Sequence, residues 1–297
     1  MIDLVFMSVL LITAICIFVP FAPNMPSNSL DESFSFSLEQ GVAQDLSIGK
    51  ESISTFGPYS SIYYQIFHPS TDSLMMIGSF YLAVSYWLCI AFLMKNSQRR
   101  WAWAFLAVLA GIPLSRDVLL FSYPLLAALT TFKSLHTAEN GYEEAKYPYL
   151  LVVILLFPFG LLPLIKGSIL IICSAITALC TSFFIAQKKY LLALTSAAVP
   201  VISMPIFWLA SGQTPFSLPD YFVSMLPITS GYTEAMSLQG PISEVVLYLV
   251  ASTVLFIAIF VSNNLSKISK TFLFCVFFIF LFIAFKSGFV RHDAHAM

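Results

Sequence analysis

Asp31 and Glu32 stand side by side just beyond the first long apolar run of the chain, at the mouth of a polar loop over 23–73. A carboxylate partly desolvated at a membrane surface gains basicity, so Asp31 is placed to take a proton from an acceptor hydroxyl, with Glu32 as its helper. The same two carboxylates offer oxygen ligands to a divalent cation such as Mg or Mn. The competing reading is a solvated acidic step after a helix. Complementary charge comes from Arg116, Lys166, Lys286 and Arg291, each at the end of an apolar run. Arg116 and Lys166 lie in the tight turns Ser115-Arg116-Asp117 and Lys166-Gly167, which hold a charge against the helices. Charges at membrane depth face a cavity or a partner, and Arg forks onto phosphate. Convergence on an anionic headgroup is one reading. Snorkelling to the interface, or local pairing of Arg116 with Asp117, is the other.

The segment Phe285 to His295 is the densest polar cluster, carrying Lys286, Arg291, His292, Asp293 and His295. His292 suits a phosphate-contacting or proton-linked role, or a structural cap. With His295 three residues on and Asp293 between, it forms an incomplete zinc set. His68, before Pro69, reads as an interfacial residue. No phosphate-binding Gly loop, nucleophile elbow or CxxC occurs.

Composition dictates what must position these groups. Of 297 residues, 59% are hydrophobic and 10% charged, and mean hydropathy is +0.88. Soluble domains carry roughly a quarter charged residues. Apolar runs cover 4–22, 74–94, 101–114, 118–132, 148–165, 168–186, 190–210, 243–262 and 271–285. Most are long enough to cross a hydrocarbon core about 30 Å thick. The expectation is an all-α polytopic bundle of eight or nine membrane segments, forming one transmembrane domain over 1–297. Continuous runs exclude a β-barrel. The net charge of −1 gives no global field for nucleic acid, which is not expected as a partner. The five cysteines all lie in apolar runs and read as buried, inert thiols. The N-terminus lacks a positive n-region, so 4–22 reads as a retained helix.

With a cytoplasmic N-terminus, Lys95, Arg99, Arg100, Lys133, Lys146, Lys188, Lys189, Lys267 and Lys270 fall inside. Lys50, Arg116, Lys166, Lys286 and Arg291 fall outside. That is the positive-inside pattern, and it puts the loops 23–73 and 211–242 on the extracytoplasmic face. Phe34, Leu38, Val42 and Leu46 recur every four residues, which predicts an interfacial helix in the first loop. Gly57-Pro58 marks a turn, and Tyr59, Tyr63 and Tyr64 suit the headgroup level. Thr71, Asp72 or Ser73 is placed to cap the next helix. The loop 211–242, rich in Pro, Ser, Thr and Gly, reads as a short re-entrant or surface segment.

These features together resemble the GT-C class of polytopic glycosyltransferases, in a poorly characterised bacterial branch. The resemblance is carried by Leu30-Asp31-Glu32-Ser33-Phe34, by Ser54-Thr55-Phe56-Gly57-Pro58-Tyr59, and by Ser115-Arg116-Asp117. Further matches are the loop from Gly212-Gln213 to Ser230-Gly231-Tyr232-Thr233-Glu234-Ala235-Met236, and Phe289-Val290-Arg291-His292-Asp293-Ala294-His295. It implies transfer of a sugar from a polyprenyl-phosphate donor to an acceptor glycan, lipid or protein at the outer face, as in a bacterial inner membrane. Asp31 would be the base and Glu32 its helper or a metal ligand. Placement then assigns the donor phosphate to Arg116, Lys166, Lys286, Arg291 and His292. Tyr59, Asp117, Tyr232 and Asp293 would support them. Class members usually continue beyond the equivalent of Met297, so a truncated form is also an expectation. Other readings are a surface-polysaccharide polymerase or ligase, a transporter, or a non-enzymatic membrane protein. A transporter calls for mid-helix charge or paired broken helices.

Overall fold

The computed structural model describes residues 4–95, 98–111, 115–139 and 148–290. Among these, helices account for nearly all regular structure, with only three isolated β-bridges. Seven helical segments are long and apolar enough to cross a membrane: Asp72–Met94, Arg116–Leu135, Pro148–Ile165, Ile169–Ala186, Tyr190–Ala210, Ile242–Val261 and Lys267–Val290. Leu4–Phe18 and Arg100–Gly111 are shorter apolar helices. The protein is therefore an all-α integral membrane bundle.

In chain order the helices begin with α1 (Leu4–Phe18), α2 (Leu30–Ala43), α3 (Ser60–Tyr64), α4 (Asp72–Met94) and α5 (Arg99–Gly111). Next come α6 (Arg116–Glu139), α7 (Pro148–Leu156), α8 (Pro158–Ile165), α9 (Ile169–Ala186) and α10 (Tyr190–Ala210). The last are α11 (Leu218–Met236), α12 (Ile242–Val261) and α13 (Lys267–Val290). The run 148–165 is divided at Phe157-Pro158 because proline has no N–H to donate and its ring crowds the preceding turn. Around α10 pack α7, α8 and α9, while α4 packs against α1 and α6. Gly160 permits the close approach of α8 to α10, since a Cβ there would lie 2.2 Å from Ser203 Oγ and 2.4 Å from the Met204 backbone nitrogen. Helices are also tied by polar contacts, Tyr123 donating to the Leu155 carbonyl at 3.1 Å and Thr181 meeting Ser196 at 2.9 Å. By contrast α12 touches mainly α13 and leaves most of its apolar surface exposed.

Chain direction sorts the polar residues to two ends. One end gathers the C-terminus of α1, α2, α3, the α8–α9 turn and α11. The other end carries Lys95, Arg100, Lys133, Lys188, Lys189, Lys267 and Lys270. There Lys133 donates to the Leu93 and Lys95 carbonyls closing α4, and Lys270 to the Phe260 carbonyl closing α12. Cations at helix C-termini meet the negative end of the dipole.

The two large loops are locked together at the first end. Gln213 donates Nε2–H to the Leu46 carbonyl at 3.1 Å, and its Oε1 accepts from the Ile48 N–H at 3.0 Å. Lys50 pairs with Asp220 at 3.1 Å. Tyr221, fully buried, donates across the Thr55 and Pro163 carbonyls. Both loops thus lie on one side of the bundle.

Several expectations need correction here. The segment 211–242 is largely helical rather than irregular. It holds a short 3-10 turn and α11, whose serines and threonines satisfy themselves on carbonyls three or four residues back, so the polar composition does not prevent a helix. Tyr59 is no exposed interfacial side chain. It is buried and donates to the Phe207 carbonyl at 2.9 Å. His68 is buried too, with Nε2 on Gln40 Oε1 and Nδ1 accepting from the Ser70 N–H. Cys16 is exposed on α1, while Cys89, Cys173 and Cys180 are buried and Cys275 is intermediate. Leu46 lies beyond α2, which ends at Ala43 before Asp45 turns into the left-handed region.

Candidate functional site

The first helix of the polar loop begins where Ser29 caps it, its hydroxyl accepting the Glu32 N–H at 3.2 Å. Asp31 and Glu32 therefore occupy the first turn of α2, where the helix dipole favours negative charge. The two carboxylates have different surroundings. Asp31 is exposed. Glu32 is half-buried, and its Oε2 is sealed from solvent with no hydrogen-bond partner among the described residues.

A second group forms where three segments meet. The strand-like stretch around Phe56 runs antiparallel to the turn after α8, with the Gly167 N–H donating to the Thr55 carbonyl at 2.7 Å and the Tyr59 N–H to the Leu164 carbonyl at 3.2 Å. Gly57 is required there, because a Cβ would lie 2.3 Å from the Leu164 carbonyl oxygen. This pairing brings Lys166 over α3 and against the start of α6. Lys166 Nζ meets Asp117 Oδ1 at 2.6 Å. Tyr63 donates its hydroxyl to Asp117 Oδ2 at 3.1 Å and receives a longer bond from Lys166 at 3.4 Å. The ammonium also lies 4.7 Å from the centre of the Tyr63 ring and 5.7 Å from that of Phe56, within cation–π range. Burial, and then the charge of Asp117, pushes the Tyr63 phenol far above its ordinary range, so it stays a neutral donor.

Tyr64 links this triad to the acidic pair. Its phenol is pushed upward by burial first, then by the negative charges of Asp31 and Asp117. Asp31 and Asp117 therefore both lie near enough to one aromatic side chain for their charge to act on it. Tyr232 from α11 acts electrostatically on Tyr63, which brings the second loop to the same patch. Tyr59 stands beneath it as a structural post, its phenol raised to about 12 by burial.

Arg116 does not pair with its neighbour Asp117. It sends Nη1 to the Phe18 carbonyl at 3.2 Å, closing the C-terminal end of α1. Among the described residues no carboxylate pairs with it. A half-buried guanidinium with one hydrogen bond and no counter-charge keeps donors of the kind that fork onto an anion.

The structure thus gathers Asp31, Asp117, Lys166 and Tyr232 around Tyr63 and Tyr64, with Arg116 on the residue next to Asp117. Lys286 is exposed on the last turns of α13 and makes none of these contacts. Arg291, His292, Asp293 and His295 lie outside the described residues. Tyr63, Tyr64 and Phe56 join the site without having been singled out as site residues. The sequence marks Tyr63 and Tyr64 only as interfacial aromatics and Phe56 only as part of a turn motif, because Lys166 reaches them from a turn more than a hundred residues away.

A divalent cation held by the acidic pair does not fit this geometry. Adjacent positions on a helix do not face one another, and Asp31 is exposed where Glu32 turns inward. Among the described residues no three of His, Cys, Asp and Glu come together as a metal set. The sequence matches no protein-family model, no curated protein and no solved structure.

Proposed function

We propose that this protein is a membrane glycosyltransferase that moves a sugar from a polyprenyl-phosphate donor to an acceptor hydroxyl at the loop end of the bundle. The observation that carries the reading is an exposed carboxylate and a cation without a counter-charge at the same loop end, on either side of one aromatic group in sequence. The charges of Asp31 and Asp117 both act on Tyr64, and Arg116, next to Asp117, makes one hydrogen bond among the described residues. In this scheme the donor phosphate lies against Arg116. Asp31 removes the proton from the acceptor hydroxyl as that oxygen attacks the anomeric carbon. The bond to the phosphate breaks, the configuration inverts, and the guanidinium stabilises the departing lipid phosphate. Lys166 is neutralised by Asp117, so its part is to hold Tyr63 in place and not to supply net charge. The loop end would then face the extracytoplasmic side, consistent with the gathering of lysines at the other end.

The distribution of charge disfavours transport, because among the described residues the ionised groups stand at helix ends or in the loop layer. The test is release of lipid phosphate from a panel of polyprenyl-phosphate sugars by the purified protein in nanodiscs. Asp31→Asn should abolish turnover and keep donor binding. Turnover undiminished in that variant, or no turnover and no donor binding in the wild-type protein across the panel, overturns the reading.

A further inference from the structure

Glu39 is, among the described residues, the one carboxylate of the loop layer that is completely enclosed. It lies on the face of α2 that also carries Asp31 and Ser35, at spacings of four and eight residues, so it anchors the helix that presents Asp31. Ser35 is buried between them, its hydroxyl donating to the Asp31 carbonyl at 2.9 Å. Glu39 Oε1 accepts from the Ser60 hydroxyl at 2.7 Å, at the first residue of α3. Glu39 Oε2 has no hydrogen-bond partner, and neither has Thr71 Oγ1, a fully buried hydroxyl at the cap of α4 that is close enough to act on Glu39. No cation pairs with Glu39 among the described residues. The other titratable groups on the packed elements are Asp31 and Glu32 on α2, Tyr63 and Tyr64 on α3, and His68 and Asp72 at the start of α4. None of them contributes to its ionisation, which is governed by burial and, in the opposite sense, by the two hydroxyls.

An enclosed carboxylate without a counter-ion is strongly disfavoured, and protonation would both remove that charge and give the unpartnered Oε2 a proton to share with the unused Thr71 hydroxyl. We infer that Glu39 is a buried proton site: its carboxyl is protonated at neutral pH and pins α2 to α3 and to the start of α4, so that Asp31 keeps its place beside Tyr64. Oε1 accepts from Ser60, and the proton on Oε2 is donated to Thr71 Oγ1. Glu39 is a positioning residue and touches no reacting atom. Its consequence for Asp31 rests on the function proposed above, whereas its protonation does not.

Burial raises the folded-state pKa of Glu39 above the unfolded one. The folded state therefore holds the proton more tightly. The contribution of the pin is complete below the ordinary glutamate range and is lost as pH rises through the folded value.

Infrared spectroscopy of the protein in nanodiscs tests this directly. At neutral pH the wild type should show a protonated-carboxyl stretching band that shifts slowly in heavy water and is missing from Glu39→Gln. That variant keeps an acceptor for Ser60 and a donor for Thr71. It should retain the wild-type unfolding temperature at neutral pH and lose the fall in stability at alkaline pH. Glu39→Ala should unfold several degrees lower at every pH. Absence of the band, or a Glu39→Gln protein as unstable as Glu39→Ala, overturns the inference. A wild-type protein that shows the band but transfers no sugar would count against the proposed function and leave the proton site standing.

Discussion

Lys166 Nζ sits 2.6 Å from Asp117 Oδ1, joining the α8–α9 turn to the first turn of α6 across 49 positions of sequence. The pair is less than a third exposed on either side, and Tyr63 adds a hydrogen bond to the same carboxylate. It neutralises the lysine that sequence placement assigned to the donor phosphate, whereas Arg116, next to Asp117, has no counter-charge among the described residues.

Breaking that pair should loosen the layer that holds the site. Asp117→Asn strands a partly buried ammonium and should cost about 2 kcal/mol of stability, as for a lost hydrogen bond to a charged group. The Asp117→Asn/Lys166→Met double variant should cost less than the sum of the singles. Thermal unfolding of all four proteins closes the cycle, and strict additivity would show that the pair contributes nothing.

Gly57 offers a sharper steric test. A Cβ would meet the Leu164 oxygen at 2.3 Å, its carbon at 2.9 Å and its Cα at 3.1 Å, all backbone atoms of a buried turn. Gly57→Ala should therefore destabilise by about 2 kcal/mol, through strain of the kind seen on overpacking. Gly231 on α11 has nothing within 4 Å of its would-be Cβ. Gly231→Ala should be neutral or stabilising by up to about 1 kcal/mol, because alanine favours a helix interior. Equal unfolding temperatures for the two variants would contradict the loop–turn pairing.

Arg116 should govern affinity for a lipid phosphate. Charge-assisted bonds to phosphate contribute about 1.5–3 kcal/mol, so Arg116→Gln should weaken donor binding by about tenfold to a hundredfold. Arg116→Lys should restore only part of it, since an ammonium cannot fork onto two oxygens. Titration with a fluorescent polyprenyl phosphate reads this without requiring turnover. Unchanged affinity in Arg116→Gln would remove Arg116 from the site.

Sidedness follows from the interlocked loops. Asn28, before α2, and Asn264, between α12 and α13, are exposed at opposite ends of the bundle. In intact cells a membrane-impermeant thiol reagent should label Asn28→Cys and spare Asn264→Cys, with the unmodified chain as the background for Cys16. The reverse pattern would place the site on the cytoplasmic face.

Much of this architecture is written in local sequence. Solvation in a bilayer is a short-range property, so the apolar runs locate the spanning helices, and the fourfold spacing of Phe34, Leu38 and Val42 locates α2. The acidic pair after the first run, and the lysines at one end of the bundle, are legible for the same reason. Other features depend on which surfaces meet. Asp117 could have paired with Arg116 beside it, yet the loop–turn pairing through Gly57 and Gly167 carries Lys166 to it instead. Glu39 reads as one more loop acid until α3 and α4 close over it. The 211–242 segment looks like a loop by composition, but packing against Gly49, Gly167 and Thr55 gives α11 a buried face. Hydropathy acts residue by residue and so is carried by the sequence itself. Charge pairing and burial are decided by contacts between segments far apart in the chain, and only the packed bundle brings those together.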